Sequence, residues 1–195
     1  MNIDQDKKNY HTNEAVINQA LILDSNHRDV ATYPLSNSFM IDLESTATKT
    51  TITTVNGVNV TNTFTGGIGG NKVAFRDVIA IKLIGFEIFG ATSNFTAQSV
   101  YLQINDYSHA LTGSESINNI FARFTLTQTG VTFSNTTSPD MTVDPYTYIC
   151  NPVIGNLRRF TINLLNANGT PFNAKGATII VSLSIYSKRN KFSRA

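Results

Sequence analysis

Apolar and polar positions alternate with a period of two along most of this chain. The alternation predicts strands at 15–23, 39–43, 50–55, 58–64, 78–89, 100–104, 120–128, 146–150, 157–165 and 178–186. In the run 121–127, Phe124 and Leu126 fall on one side, while Arg123, Thr125 and Thr127 fall on the other. A strand with that pattern buries one face of a sheet. Turn residues sit between the runs. Asn56-Gly57 separates two Thr/Val-rich stretches, the strongest short hairpin signal. Asn168-Gly169 follows the 157–165 run, and the glycines between 66 and 70 interrupt any regular structure. No segment has the period of a long amphipathic helix; a short helix near 114–120 is the one helical candidate.

About ten strands with short connections, and no alternation of helix with strand, predict an all-β fold: a single jelly-roll antiparallel β-sandwich. An immunoglobulin-like sandwich fits less well, since the chain has no Trp and no pair of cysteines. The expected organisation is an N-terminal flexible arm over 1–14, a jelly-roll domain over 15–187 and a basic C-terminal tail over 188–195. Within the domain, the Thr/Gly-rich stretch 46–71 reads as a hairpin insertion, with Asn56 and Gly57 at its exposed tip.

Composition narrows the function. Of 195 residues, 41% are apolar and only 14% charged, against a usual charged share of about 25%. Thr, Asn and Ser fill the polar positions, and burying a hydroxyl against a partner costs less than burying an ion. The net charge of +2 provides no global field for nucleic acid. The first fourteen residues lack the apolar core of a signal peptide, and no apolar run approaches the roughly 18–20 residues that span a bilayer. A single cysteine, Cys150, excludes an intrachain disulfide and suits a reducing compartment. Asn-x-Ser/Thr triplets begin at Asn59, Asn94, Asn135 and Asn168, and in a chain this rich in Asn and Thr they are read as unmodified.

Candidate chemistry is sparse. The stretch 66–72 ends in Asn71-Lys72-Val73, which breaks the phosphate-loop pattern. His11, His27 and His109 are scattered, with Asp29 and Asp106 as the nearest acids to the last two, and no second ligand stands at metal spacing. Asp4 and Asp6 form an acidic pair on the arm, where ordering entropy opposes tight binding. Cys150, ending an apolar strand, reads as a small buried residue, and there is no Gly-x-Ser-x-Gly elbow. No catalytic, cofactor or metal site is expected. The turn formed by Asp24, Asn26, Arg28 and Asp29 has the chemistry of a structural fastener: the short side chains cap local amides, and Arg28 pairs with Asp29 or a facing carboxylate. Lys7, Lys8 and Tyr10 in the arm, and Lys188, Arg189, Lys191 and Arg194 in the tail, are the candidate partner contacts. Through the tail, contact with a membrane or DNA is possible.

The block 21–43, LILDSNHRDVATYPLSNSFMIDL, resembles the amino-terminal signature of small capsid proteins of nucleocytoplasmic large DNA viruses, a "DSRDR…YP…N.F.I.L" pattern. Later elements are similar to that family in the same order: VIAIKLIGFEIF at 78–89, VYLQIND at 100–106, NNIFARFTL at 118–126, and LRRFTINLL at 157–165 followed by an Asn-Gly turn. The resemblance covers about residues 15–187 as loose patterns. It implies a single jelly roll serving as the penton of an icosahedral capsid, with no enzymatic activity and no cofactor. The implied partners are itself as a homopentamer, the major capsid protein and minor capsid proteins, in a virion assembled in the host cytoplasm. A minor, cement-type capsid protein is the first alternative. A carbohydrate- or receptor-binding jelly roll is the second, with Tyr101, Tyr107, Tyr146 and Tyr148 as its only stacking groups. On the penton reading, the tail is expected to face inward and the 46–64 hairpin outward.

Overall fold

The computed structural model describes residues 16–43, 48–55, 58–65, 75–105, 107, 119–134 and 146–188. The strands, in chain order, are β1 (Val16–Asp24), β2 (Ser38–Asp42), β3 (Thr48–Val55), β4 (Val58–Thr65), β5 (Phe75–Phe89), β6 (Gln98–Ile104), β7 (Ala122–Leu126), β8 (Val131–Ser134), β9 (Thr147–Leu157), β10 (Arg159–Asn166) and β11 (Thr178–Lys188). All ladders are antiparallel.

Two sheets form the body. One runs β1-β11-β5, with β8 and β9 sharing the far side of β5; the other runs β2-β10-β6-β7. Leaving out the β3–β4 hairpin, the pairing is nested: first strand with last, second with second-to-last, and inward to β6 with β7. That nesting is the jelly-roll wrap, two Greek keys folded into facing sheets. The predicted all-β sandwich is therefore what the chain forms.

The core lies between the sheets and is built from alternate positions. In β7, Phe124 and Leu126 are buried and Arg123 and Thr125 are exposed, as the period of two predicts. Phe124 stacks across the sandwich on Phe86 of β5, with ring centroids 4.3 Å apart. Phe39, Phe86, Phe121, Phe160 and Phe172 are all fully buried. Each contributes on the order of 2–3 kcal/mol of apolar burial, which this chain needs because Cys150 is its sole cysteine.

Apart from shifts of two or three residues at strand ends, three features differ from the predicted strands. β9 does not stop before Pro152 but runs on to Leu157. Its register jumps from Ile149 opposite Ala80 to Ile154 opposite Val78, so Pro152 sits in an irregular stretch of a strand at the sheet's edge. Proline is tolerated there, because no ladder bond is asked of it. A single strand over 157–165 is in fact the end of β9 and all of β10, broken at Arg158. β8 was not predicted: four residues, Val131–Ser134, are too few to show alternation. It follows Gly130, whose φ of +130° and approach to the Ile88 carbonyl leave no room for a side chain; a Cβ would lie 1.9 Å from that oxygen. The short helix proposed near 114–120 falls mostly outside the described residues; Ile120 forms a β-bridge.

The topology gives the sandwich two unlike ends. Short connections at one end join β1 to β2, β5 to β6, β7 to β8 and β10 to β11. The opposite end holds Val16 paired with Lys188, Phe75 paired with Leu157, and Leu43 donating to the Arg158 carbonyl (2.7 Å). The β3–β4 hairpin is rooted there, between Leu43 and Phe75, and so is the basic tail, after Lys188. The sequence reading sends hairpin and tail to opposite faces; the fold roots both at one end, because β2 and β11 finish there and β5 starts there.

The hairpin forms its own two-stranded sheet and shares no ladder with the body. Replacing residues 46–71 by a short Gly/Ser linker is therefore expected to leave the melting temperature within about 3 °C, since changing loop length costs little. Thermal unfolding followed by circular dichroism checks this; loss of the cooperative transition would show that the hairpin belongs to the body.

Candidate functional site

The Asp24–Asp29 segment leaves β1 in a 3-10 turn, Ser25–His27. Asp24 Oδ1 accepts from the Asn26 N–H at 2.8 Å, and Asn26 Nδ2 donates to Thr178 Oγ1 at 3.2 Å. Ser25 is fully buried and its hydroxyl oxygen accepts from the Ile179 N–H at 2.9 Å. Arg28 donates to three carbonyls: Ser25 (2.7 Å), Tyr33 (2.8 Å) and Pro34 (3.1 Å). Where the sequence reading pairs Arg28 with a carboxylate, the guanidinium instead gathers the backbone of its own loop. Burial lowers its pKa and the nearby Asp24 charge opposes that shift. Asp29 accepts from Thr32 Oγ1 at 2.6 Å and from the Ala31 N–H at 3.3 Å.

This loop is joined to its neighbours at the same end. Ser36 Oγ donates to the Ala177 carbonyl (2.6 Å), Thr92 N–H to the Lys175 carbonyl (2.9 Å), and Phe95 N–H to the Gln128 carbonyl (3.0 Å). Lys175 Nζ donates to the Asn94 carbonyl and lies 5.6 Å from the Phe95 ring centroid. The four connections thus make one fastened cap, and its two cations, Arg28 and Lys175, are both engaged within it.

The other candidates do not converge. His27 is exposed on the turn. Lys7, Lys8, Tyr10, His11, Asn56, Gly57, the 66–72 stretch, Asp106, His109, Arg189, Lys191 and Arg194 lie outside the described residues. Among the described residues no group of three His, Cys, Asp or Glu side chains comes together. Cys150 is buried, and burial pushes its thiol pKa up to about 11, so little thiolate exists at neutral pH. Tyr107 and Tyr148 stack on each other at 5.0 Å and Tyr146 packs edge-on to Phe133 at 4.9 Å, all three against the core. Tyr101 is half-buried on β6. These tyrosines form no shared exposed platform.

The arrangement the sequence reading missed is at the end where the tail begins. Lys188 is the last residue of β11; Arg76 is near the start of β5; Arg158 and Arg159 form the corner between β9 and β10. Register brings them together: Ser187 and Ile154 both pair with Val78, from opposite sides, so Lys188 and Asn156 stand roughly 10 Å apart across β5 at two strand spacings. With the Asn156 amide turned so that its oxygen faces Arg158, the orientation that satisfies both groups, that oxygen accepts from Arg158 Nε (2.9 Å) and Nη2 (3.2 Å). Arg159 pairs with Asp42 at 3.2 Å. A recess of about 600 Å³ opens here, lined by Asp42, Asn105, Tyr107, Arg158 and Arg159 among others. Arg158-Arg159 is visible as a dipeptide, but only the fold sets it beside Arg76 and the root of the tail.

No protein-family model matches the chain, and no curated protein matches its sequence.

The cap makes a direct test of the Arg28 assignment. Arg28→Ala strips three carbonyls of a charged donor and is expected to cost about 2–3 kcal/mol in urea unfolding. Arg28→Lys should recover less than half, because an ammonium cannot span the fork. Unchanged stability in both variants would contradict the assignment.

Proposed function

We propose that this chain is a structural capsid protein, the penton that closes the fivefold vertex of an icosahedral large double-stranded DNA virus. The observation that carries the reading is a jelly roll whose sheets end in unlike, accessible edges. β1 and β2 form one side of the sandwich, and β7 with β8 and β9 the other. Apolar side chains stand exposed on both: Ile22 on β1 (65% exposed) with Leu35 in the loop beyond it, and Ile149 on β9 (51% exposed). Two different edges of one molecule can meet only head to tail, and that contact closes a ring when the rotation permits. The low charge supports the same reading, since Ser, Thr and Asn surfaces desolvate at modest cost. So does the ordered resemblance of residues 15–187 to the viral family.

In this role the protein performs no chemistry. It forms a ring with four further copies of itself, touching one on each side, and meets the major capsid protein around the vertex and minor capsid proteins, within a virion assembled in the host cytoplasm. A cement-type protein would share the fold but not the ring. The carbohydrate-binding alternative draws no support from the tyrosines, three of which pack against the core.

The mass in solution tests the reading. Purified protein is expected to sediment at five times the 21.4 kDa chain. Ile22→Lys should shift it to monomer without changing the circular dichroism spectrum. A wild-type protein that stays monomeric at every concentration would favour the cement role and overturn the penton.

A further inference from the structure

The loops of the capped end enclose a recess of about 480 Å³, lined by Asn26, Arg28, Leu35, Asn37, Pro171 and Lys175 among others. That volume suits a small ligand or a few residues of chain. The other polar side chains of the lining are engaged within the protein. Asn26 Nδ2 donates to Thr178, Arg28 to its three carbonyls, Ser36 to the Ala177 carbonyl and Lys175 to the Asn94 carbonyl. Asn173 Oδ1 accepts from the Lys175 N–H at 3.0 Å. Asn37 is the exception. It directly precedes β2, its backbone carbonyl is fixed by the Leu164 N–H (2.8 Å), and it is only 5% exposed. Its side-chain amide bonds to none of the described residues. Nor is that amide sealed in. Among the described residues, the unpartnered side-chain atoms shut off from solvent are the Thr147 and Ser187 hydroxyls. The Asn37 amide therefore opens onto the recess with two donors and an acceptor unused, and a buried amide so placed gains from a partner that supplies those bonds.

We infer that this recess binds an extended, uncharged peptide segment of a partner protein, with Asn37 pairing to its backbone. In an extended chain the N–H and C=O of one residue point to the same side, and together they match the acceptor and donor of a side-chain amide. Pro34, Pro171 and the exposed Leu35 supply apolar walls for the neighbouring side chain of such a segment. The chemistry of the lining disfavours other ligands. Arg28 and Lys175 are tied to carbonyls, so a phosphate or carboxylate would have to compete with those ties. A sugar ring would seek an exposed aromatic face, and Phe172, the aromatic residue of this lining, is buried. The inference does not rest on the capsid reading, since a monomer that never assembles would still bind.

The test is saturation-transfer nuclear magnetic resonance of the full chain with blocked tripeptides, acetyl-Ala-X-Ala-amide, where X is Leu, Val, Phe or Ser. It is run on the wild type and on Ile22→Lys, so that a ring of copies cannot hide the recess. The expected result is saturable transfer to the tripeptides with apolar X. Asn37→Ala should weaken binding about tenfold, the equivalent of two hydrogen bonds. It should leave the melting temperature unchanged or higher, since the amide has no bond within the fold to lose. Methylating the backbone nitrogen of X should weaken binding to the wild type but cause no further loss with Asn37→Ala, as two groups that bond each other require. Leu35→Ser, at a site 65% or more open to solvent, should weaken binding about threefold without affecting folding. Absence of transfer to every tripeptide would mean that water alone satisfies the amide, and would overturn the proposal. So would equal binding by wild type and Asn37→Ala. Transfer to methyl mannoside or methyl glucoside that Asn37→Ala abolishes, with none to the tripeptides, would assign the recess to carbohydrate instead.

Discussion

The whole architecture depends on β11 taking its position between β1 and β5. Its ladder to β1 joins residues such as Val16 and Lys188, at opposite ends of the described chain, and its ladder to β5 runs from Phe89 to Val78. Closing contacts of such long sequence separation is entropically costly and kinetically slow. Packing offsets the cost. Ile179, Val181, Leu183 and Ile185 of β11 are all fully buried against the facing sheet. Once β11 is in place, the sheet order, the position of the tail and the root of the hairpin all follow.

The consequence is a molecule with two kinds of end. At one, four short connections are tied by side-chain to backbone hydrogen bonds, with Arg28 and Lys175 as the main ties. Those cations are used in holding loops and have little left for a partner. At the other end Arg76, Arg158 and Lys188 are exposed, as are Val16, Ile17 and Val153. The edges between the ends carry Ile22 and Ile149. The ends and the edges are thus chemically distinct surfaces of one small domain.

Much of the fold was legible because period-two alternation directly reports a half-buried sheet: Phe124 and Leu126 against Arg123 and Thr125 is the clearest case. What escaped was short or irregular. β8 has only four residues, and Pro152 looked like a terminator because sequence cannot tell an edge strand from a central one. The turn at Asp24–Asp29 was legible as a fastener, since Asp and Asn cap local amides by their chemistry; that Arg28 would choose carbonyls was not, as Tyr33 and Pro34 come within reach only when the loop folds back. The Arg76, Arg158, Lys188 grouping was invisible for a different reason. Those residues are separated by up to the length of the domain, and only strand register unites them.

The central claim is that this jelly roll works through its lateral edges. Amide hydrogen exchange, compared between dissociated and assembled protein, addresses it most directly. The account expects new protection confined to the β1 edge, Val16–Asp24, and to β9, Thr147–Leu157, with exchange in the four capping loops unchanged. Assembly that protects the capping loops while both edges exchange as before would contradict it.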